Sequence, residues 1–268
     1  RGARVTRAST PLDVIEGRAR WCVVCGERDD VLASMGDAAV DVTITDPGYD
    51  EHTHANVMTT AGGQWKPGGA GRGVSVDLGF DPCDPATYAG EVVRVTKRWA
   101  VAFCALEQFA AWKSAVIAAG GRWVRAGVWD RIAPTPQLSG DRPAQAVDGV
   151  AIGHAAGPMR WNGGGDAAIW RHIRLAAAHG HVRTGHPNEK PLALMRELVR
   201  QFSDPGEVIA DWHAGSGTTG VAALVEGRRV ILVERDPVHA ETCRRRCEET
   251  EPGVGSRRAK QLVLGGVR

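Results

Sequence analysis

Short apolar runs rich in β-branched and aromatic residues recur at Trp21–Cys25, Val40–Thr45, Trp99–Cys104, Trp123–Trp129, Glu207–Ala210 and Arg229–Val233, and each reads as a strand. Between them, Asp84–Val95, Leu106–Ala119, Pro191–Phe202, Thr218–Glu226 and Pro237–Glu249 carry helical spacing. Pro191–Phe202 opens with proline at a first helical position and sets Leu192, Met195, Leu198, Val199 and Phe202 on one face. Strands alternating with helices predict an α/β fold, a mostly parallel sheet covered by these five helices. Residues 50–82 and 131–185 break the alternation. The first is rich in glycine and polar residues, the second mixes Pro, Gly, Arg, His and Trp without a period, and both exceed ordinary connections in length. They are expected to be long irregular loops.

With 43% apolar residues in 268, the chain can bury a sizeable core, and one domain spanning 1–268 is expected. No run of about 18 apolar residues occurs, and Arg1–Arg20 lacks an apolar signal core, so the expectation is a cytoplasmic protein with no membrane contact. A formal charge of +2 identifies no partner, but its distribution is uneven: residues 122–200 hold eleven Lys/Arg against six Asp/Glu, whereas 31–121 hold six against ten. The six cysteines include two closely spaced pairs. Cys22 and Cys25 alternate along a strand and so face opposite ways, and Cys243 and Cys247 stand one turn apart on an arginine-rich helix, which predicts structural thiols and no metal site.

The stretch Glu207-Val-Ile-Ala-Asp-Trp-His-Ala-Gly-Ser-Gly-Thr-Thr-Gly220 reads as strand, glycine turn and helix start, a place where backbone N–H groups can hold a small ligand. Gly215, Gly217 and Gly220 fit G-x-G-x-x-G, and Glu234, at the end of the next strand, can accept hydrogen bonds from two ribose hydroxyls. A nicotinamide or flavin cofactor, S-adenosylmethionine and a purely structural turn all stay open on this loop alone. The nicotinamide reading would require a permuted sheet, because so little chain follows Glu234.

Val42-Thr-Ile-Thr-Asp46-Pro-Gly-Tyr49 places a carboxylate and an aromatic ring at a strand end, where ligands bind in open α/β sheets. Asp-Pro-Gly is also good turn chemistry. Beside a cofactor loop the tetrapeptide fits a chemical need. The exocyclic amine of a nucleobase is a poor nucleophile while its lone pair is delocalised, and Asp46 and the Pro47 carbonyl could accept its two hydrogens. Tyr49 would stack on a base turned out of the duplex.

Three ordered stretches carry a family resemblance. Thr-Asp46-Pro-Gly-Tyr49 resembles Asp-Pro-Pro-Tyr, His186-Pro-Asn-Glu-Lys-Pro191 is similar to His-Pro-Thr-Glu-Lys-Pro, and Asp211-Trp-His-Ala-Gly-Ser-Gly-Thr-Thr219 resembles Asp-Pro-Phe-Ala-Gly-Ser-Gly-Thr-Thr. They are motifs of the amino-methylating (N6-adenine/N4-cytosine) DNA methyltransferases of permuted order, and Trp21–Leu32 resembles the segment upstream of their catalytic strand. The resemblance implies a Rossmann-like, S-adenosylmethionine-dependent methyltransferase fold with a seven-stranded type of sheet. It implies catalysis by Asp46, Pro47 and Tyr49, and a cofactor site formed by Asn188, Lys190, Pro191, Asp211, His213, Ala214, Gly215, Gly217, Thr218 and Glu234. It also implies methyl transfer to a base flipped out of double-stranded DNA, with Asp rather than Ser at position 46 favouring adenine N6 over cytosine N4.

The sequence departs from the pattern at three places. Gly48 replaces the second proline and loosens the backbone between Pro47 and Tyr49. Trp212-His213 replaces Pro-Phe and brings a titratable ring to the cofactor loop. No large recognition domain is expected within these 268 residues, so 131–185 is expected to be a DNA-recognition insertion and 50–82 a mobile loop beside the catalytic residues. Arg131, Arg142, Arg160, Arg171 and Arg174 are candidate DNA contacts, while Trp161 and Trp170 are better suited to core packing than to wedging into DNA. Pro82-Cys83 resembles the nucleophile of cytosine-C5 methylation, but it lies in an ordinary turn. RNA amine methylation and a non-catalytic nucleic-acid-binding module are the competing functions. A homodimer is compatible with the sequence, and neither target site nor any restriction endonuclease partner is legible in it.

Overall fold

A computed structural model describes residues 9–49, 82–132, 134, 143–173 and 189–250. In chain order these form α1 (Pro11–Ile15), β1 (Trp21–Cys25), α2 (Arg28–Ser34), β2 (Val42–Thr45), α3 (Pro85–Val95) and β3 (Trp99–Cys104). A 3-10 turn (Leu106–Gln108) runs into α4 (Phe109–Ala118), followed by β4 (Arg122–Ile132), β5 (Val147–His154) and β6 (Ile169–Ile173). The last part comprises α5 (Leu192–Phe202), β7 (Val208–Asp211), α6 (Thr218–Val225), β8 (Arg229–Glu234) and α7 (Pro237–Thr250).

All eight strands join one sheet in the order β1-β8-β7-β2-β3-β5-β4-β6, and β5 alone runs antiparallel to its neighbours. Alternation along the central strands feeds two cores. Trp99, Val101 and Phe103 of β3 and Val230 and Leu232 of β8 pack under α5, α6 and α7, while Ala100, Ala102, Ile231 and Val233 pack under α2, α3 and α4. Both faces are covered, which is why these strands read as continuous apolar runs. Of the expected face of α5, Met195, Leu198, Val199 and Phe202 are buried and Leu192 is half-buried, with Leu194 added to it.

The sheet is permuted: β1, from the start of the chain, pairs with β8, from near its end. Permutation therefore does not by itself separate a methyl donor from a nicotinamide cofactor. Helix boundaries follow local chemistry. Asp84 accepts from Ala86 N–H at 2.9 Å and caps α3 from outside, and Pro191 is the capping residue of α5 rather than its first turn. Cys22 is buried and Cys25 exposed, on opposite faces of β1.

The expectation that 131–185 is an irregular insertion is corrected. β4 runs on to Ile132, β5 inserts between β3 and β4, and β6 forms the sheet edge. Val147-Asp-Gly-Val-Ala-Ile-Gly-His154 is buried on both faces, so it has no alternation, and its Asp and Gly residues imitate a turn. β6 alternates the wrong way round for a simple reading, with Trp170 inside and Ile169 and Ile173 exposed. Trp170 sits in the core and donates from Nε1 to Gln201 Oε1 at 2.7 Å, and Trp161 packs on Phe202 with ring centroids 4.9 Å apart, so both tryptophans are packing residues. The five expected helices are joined by α1 and α2. Of 50–82, only Pro82 lies within the described residues. Among the described residues, no helix is long and apolar enough to cross a membrane.

Candidate active site

From β7 the chain crosses through α6 to β8 on one side, and from β2 it crosses through α3 to β3 on the other. β2 and β7 are parallel neighbours, so the sheet has its topological switch point between them, where carboxyl ends of strands open a crevice for ligands. Asp46 follows β2 and the glycine turn follows β7, so the fold brings the two sequence motifs to one crevice.

The glycine turn is held from several sides. Asp211 Oδ2 accepts from Thr219 Oγ1 at 2.6 Å and Oδ1 from His213 N–H at 3.1 Å. Burial pushes the Asp211 carboxyl up to about 6, against the opposing effect of these hydrogen bonds. Glu234 accepts from Gly215 N–H at 2.8 Å and from Asp236 N–H at 2.9 Å, which fixes its carboxylate over the turn where it can still accept hydroxyl bonds. Gly217 adopts φ 81° as the residue capping α6, and a Cβ there would come within 3.1 Å of Cys243 Cα. A Cβ on Gly220 would meet Leu232 Cδ1 at 2.6 Å, so this glycine lets α6 close onto β8 and α7. Cys243 and Cys247 are buried against this turn, and Cys243 Sγ donates to Gly215 O at 3.1 Å.

At the end of β2, Asp46 Oδ2 accepts from Lys190 Nζ at 2.5 Å. Asp46 Oδ1 and the Tyr49 hydroxyl are buried and have no hydrogen-bond partner. Burial raises the carboxyl of Asp46, opposed by the Lys190 ammonium, and burial raises the Tyr49 phenol well above its ordinary range. The Lys190 ammonium lies 4.8 Å from the Phe103 ring centre, 5.9 Å from Tyr49 and 6.0 Å from Trp129. Aromatic rings thus surround the ammonium that meets the carboxylate. The loosening expected at Gly48 is countered, because Gly48 O accepts from Cys83 N–H at 3.1 Å as the chain enters α3.

His213 does not face into the crevice as an isolated titratable ring. Its Nε2 lies 2.5 Å from Arg28 Nη1, and its Nδ1 lies 3.1 Å from Thr45 Oγ1. Arginine can only donate, so Nε2 accepts and the proton sits on Nδ1, where it donates to Thr45. Burial and the Arg28 charge hold the ring well below the ordinary histidine range, hence neutral. Arg28 also stacks over Tyr88 at 4.5 Å and donates to Cys83 Sγ at 3.6 Å. Burial pushes the Cys83 thiol up, the opposite of what an activated nucleophile needs.

The candidate DNA contacts divide. Arg131 is an ion-pair partner of the buried Asp148 and lies 5.4 Å from the Trp129 ring, so it belongs to the pocket wall and not to an outward basic surface. Arg160 is exposed, but its carbonyl accepts from Trp99 Nε1 at 2.8 Å and its side chain approaches Asp204 at 3.6 Å. Trp99 starts β3 and Asp204 precedes β7, which puts Arg160 at the amino ends of these strands, whereas Asp46 follows the carboxyl end of the parallel β2. Arg171 is exposed on β6 and pairs with Asp130 at 3.3 Å. Arg142, Arg174 and Asn188 lie outside the described residues.

Several contributors went unseen in the sequence. Phe103 and Trp129 are strand residues whose apolar setting hides their place beside Asp46. Arg246 of α7 donates from Nη1 to Ser216 O at 2.7 Å and Ser216 Oγ at 3.1 Å, and pairs with Glu189 at 3.0 Å. It ties the segment before α5 to the glycine turn. Lys190, expected around the cofactor, pairs its ammonium with Asp46.

Residues 127–245 match the model of the family described as DNA methylase. The match covers somewhat less than half of the chain. The methylase segment holds the glycine turn and Lys190, whereas Asp46–Tyr49 lies outside it. Among curated proteins, DNA adenine methyltransferase YhdJ of Escherichia coli (strain K12) is 43% identical over 49 residues, 18% of this chain and 17% of that protein. The curated relatives are thus aligned over only about a fifth of their own length. Among solved structures, M1.HpyAVI in its SAM complex superposes with a TM-score of 0.63 at 18% identity, covering 84% of this chain and 98% of that one. PvuII DNA methyltransferase, cytosine-N4-specific, also gives 0.63 at 13% identity, covering 93% and 94%. The fold is the Rossmann-like fold of S-adenosylmethionine-dependent methyltransferases.

Proposed function

We propose that the protein transfers a methyl group from S-adenosylmethionine to an exocyclic amine of a base in double-stranded DNA, with adenine N6 the preferred target. The observation that carries this reading is the pair of buried, unpartnered polar groups, Asp46 Oδ1 and the Tyr49 hydroxyl, placed at the switch point beside the glycine turn. A buried carboxylate oxygen without a donor is costly, and an N–H of a bound amine would satisfy it.

The residues present fit the cofactor: the left-handed Gly217 lets the turn after β7 close tightly against Cys243 of α7, and Glu234 stands where ribose hydroxyls can donate. When bound, S-adenosylmethionine supplies an electrophilic methyl on sulfur, and the electron pair of the broken carbon–sulfur bond stays with sulfur. Asp46 Oδ1 and the Pro47 carbonyl accept the two amine hydrogens, drawing the nitrogen toward tetrahedral geometry and freeing its lone pair. Asp46 then takes the proton shed by the alkylated nitrogen and passes it to water. Tyr49, with Phe103 and Trp129 nearby, offers ring faces to a flipped base. Asp211, His213, Ala214, Gly215 and Thr218 shape the cofactor side, with His213 acting through Thr45 rather than by titration.

Methyl transfer from labelled S-adenosylmethionine to mixed-sequence DNA and, in parallel, to RNA tests the proposal. Label in N6-methyladenine of DNA is the expected result; label in N4-methylcytosine would reassign the base, label in RNA the substrate, and cofactor binding without transfer would leave a non-catalytic module.

A further inference from the structure

Glu189 and Lys190 are consecutive residues that reach to opposite sides of the crevice. Glu189 pairs with Arg246, which holds Ser216 and Thr218 of the glycine turn, and Lys190 pairs with Asp46 at 2.5 Å. The Lys190 contact uses Oδ2 of Asp46 and leaves Oδ1 buried and unpartnered. We infer that Lys190 is a positioning residue: it fixes one carboxylate oxygen of Asp46 so that the other is aimed at the incoming amine, and through Glu189 and Arg246 it ties that aim to the cofactor turn. The inference rests on the methyl-transfer reading above.

Geometry and charge agree on this role. A carboxylate with both oxygens free could rotate and present either one, whereas a single charge-assisted bond to Oδ2 selects one orientation. The ammonium is itself held among the faces of Phe103, Tyr49 and Trp129. Its charge and hydrogen bond lower the Asp46 carboxyl against the burial that raises it. Of the other groups facing Asp46, Asp148 of β5 raises its carboxyl and Arg131 of β4 lowers it. Cys104 at the end of β3, Asp211 at the end of β7 and Tyr49 on the same loop are acids that supply no positive charge. Removal of Lys190 leaves burial and the neighbouring carboxylates to push Asp46 upward.

The test uses the full chain and two substitutions, Lys190→Met and Lys190→Arg, measuring kcat for DNA methylation from pH 5 to 9 and the Kd of S-adenosylmethionine. The expected result for Lys190→Met is an acid limb displaced upward by about one to three pH units, with cofactor Kd changed by less than about threefold, the size of a contact worth under 1 kcal/mol. Lys190→Arg should restore the wild-type limb. A carbon-13 titration of the Asp46 carboxyl, assigned by its loss in Asp46→Asn, reports the same displacement without turnover and covers a Lys190→Met enzyme too slow to assay. An unmoved Asp46 titration in folded Lys190→Met, or a main effect on cofactor Kd, overturns the inference. If Lys190→Met does not fold, Lys190→Gln is judged by the same criteria. A wild-type protein that methylates nothing would defeat the methyl-transfer reading, while the carboxyl titration would still decide whether Lys190 governs Asp46.

Discussion

Asp46, Asp211 and His213 are three titratable residues within one crevice, Asp211 buried and the other two half-buried, and each is perturbed differently by its neighbours. Asp46 has a carboxyl raised by burial and lowered in part by Lys190, His213 is neutral because Arg28 donates to Nε2, and Asp211 carries a carboxyl raised to about 6 by burial. A carboxyl raised on folding binds protons more readily in the native than in the unfolded chain, so its charge costs stability above pH 6 and that cost fades as pH falls toward 4. Asp211→Asn, compared with wild type by urea unfolding, should therefore be relatively more stable at pH 7 than at pH 4.5, by about 2 kcal/mol. Equal differences at the two pH values would contradict the buried, raised carboxyl. His213 works in the opposite sense, losing stability as pH falls below the ordinary histidine range, but it is common to both proteins and cancels. Asp46→Ala should abolish transfer while leaving cofactor Kd within about threefold, under 1 kcal/mol; retained turnover would remove Asp46 from the chemistry.

The elements show why some of the site was legible and some was not. Asp46–Tyr49 and Gly215–Gly220 carry local signatures, a strand end with turn chemistry and a glycine pattern at a helix start, so a linear reading finds them. Lys190 was found as a motif member, yet its partner is set by how α5 enters the core, which no local pattern encodes. Arg131 shows the converse. Its place in a basic stretch suggested a DNA contact, whereas β5, hidden by its glycines and its two-sided burial, brings Asp148 against it. The glycine turn gives an element-scale prediction. Gly217→Ala forces φ 81° on a residue with a Cβ and drives that Cβ toward the Cys243 backbone, so stability should fall by about 2 kcal/mol and cofactor binding should weaken. Thermal unfolding and calorimetry check both, and unchanged cofactor affinity would show that the turn does not shape the binding site.

At the scale of the whole molecule, the central fact is a permuted sheet whose switch point receives one motif from the early part of the chain and another from the late part. The mostly parallel α/β architecture followed from strand and helix spacing, but the order of the strands did not, because pairing of β1 with β8 is a long-range choice made by packing. Among the described residues of the basic stretch 122–200, Arg131 pairs with the buried Asp148 and Arg160 lies at the amino ends of the strands, away from Asp46. The most direct test of the account is nucleoside analysis of double-stranded DNA after incubation with the protein and labelled S-adenosylmethionine. The account predicts label in a methylated exocyclic amine, N6-methyladenine foremost, and none when Asp46 is replaced by alanine; transfer that survives this replacement, or label on ring carbon instead of an amine, would contradict it.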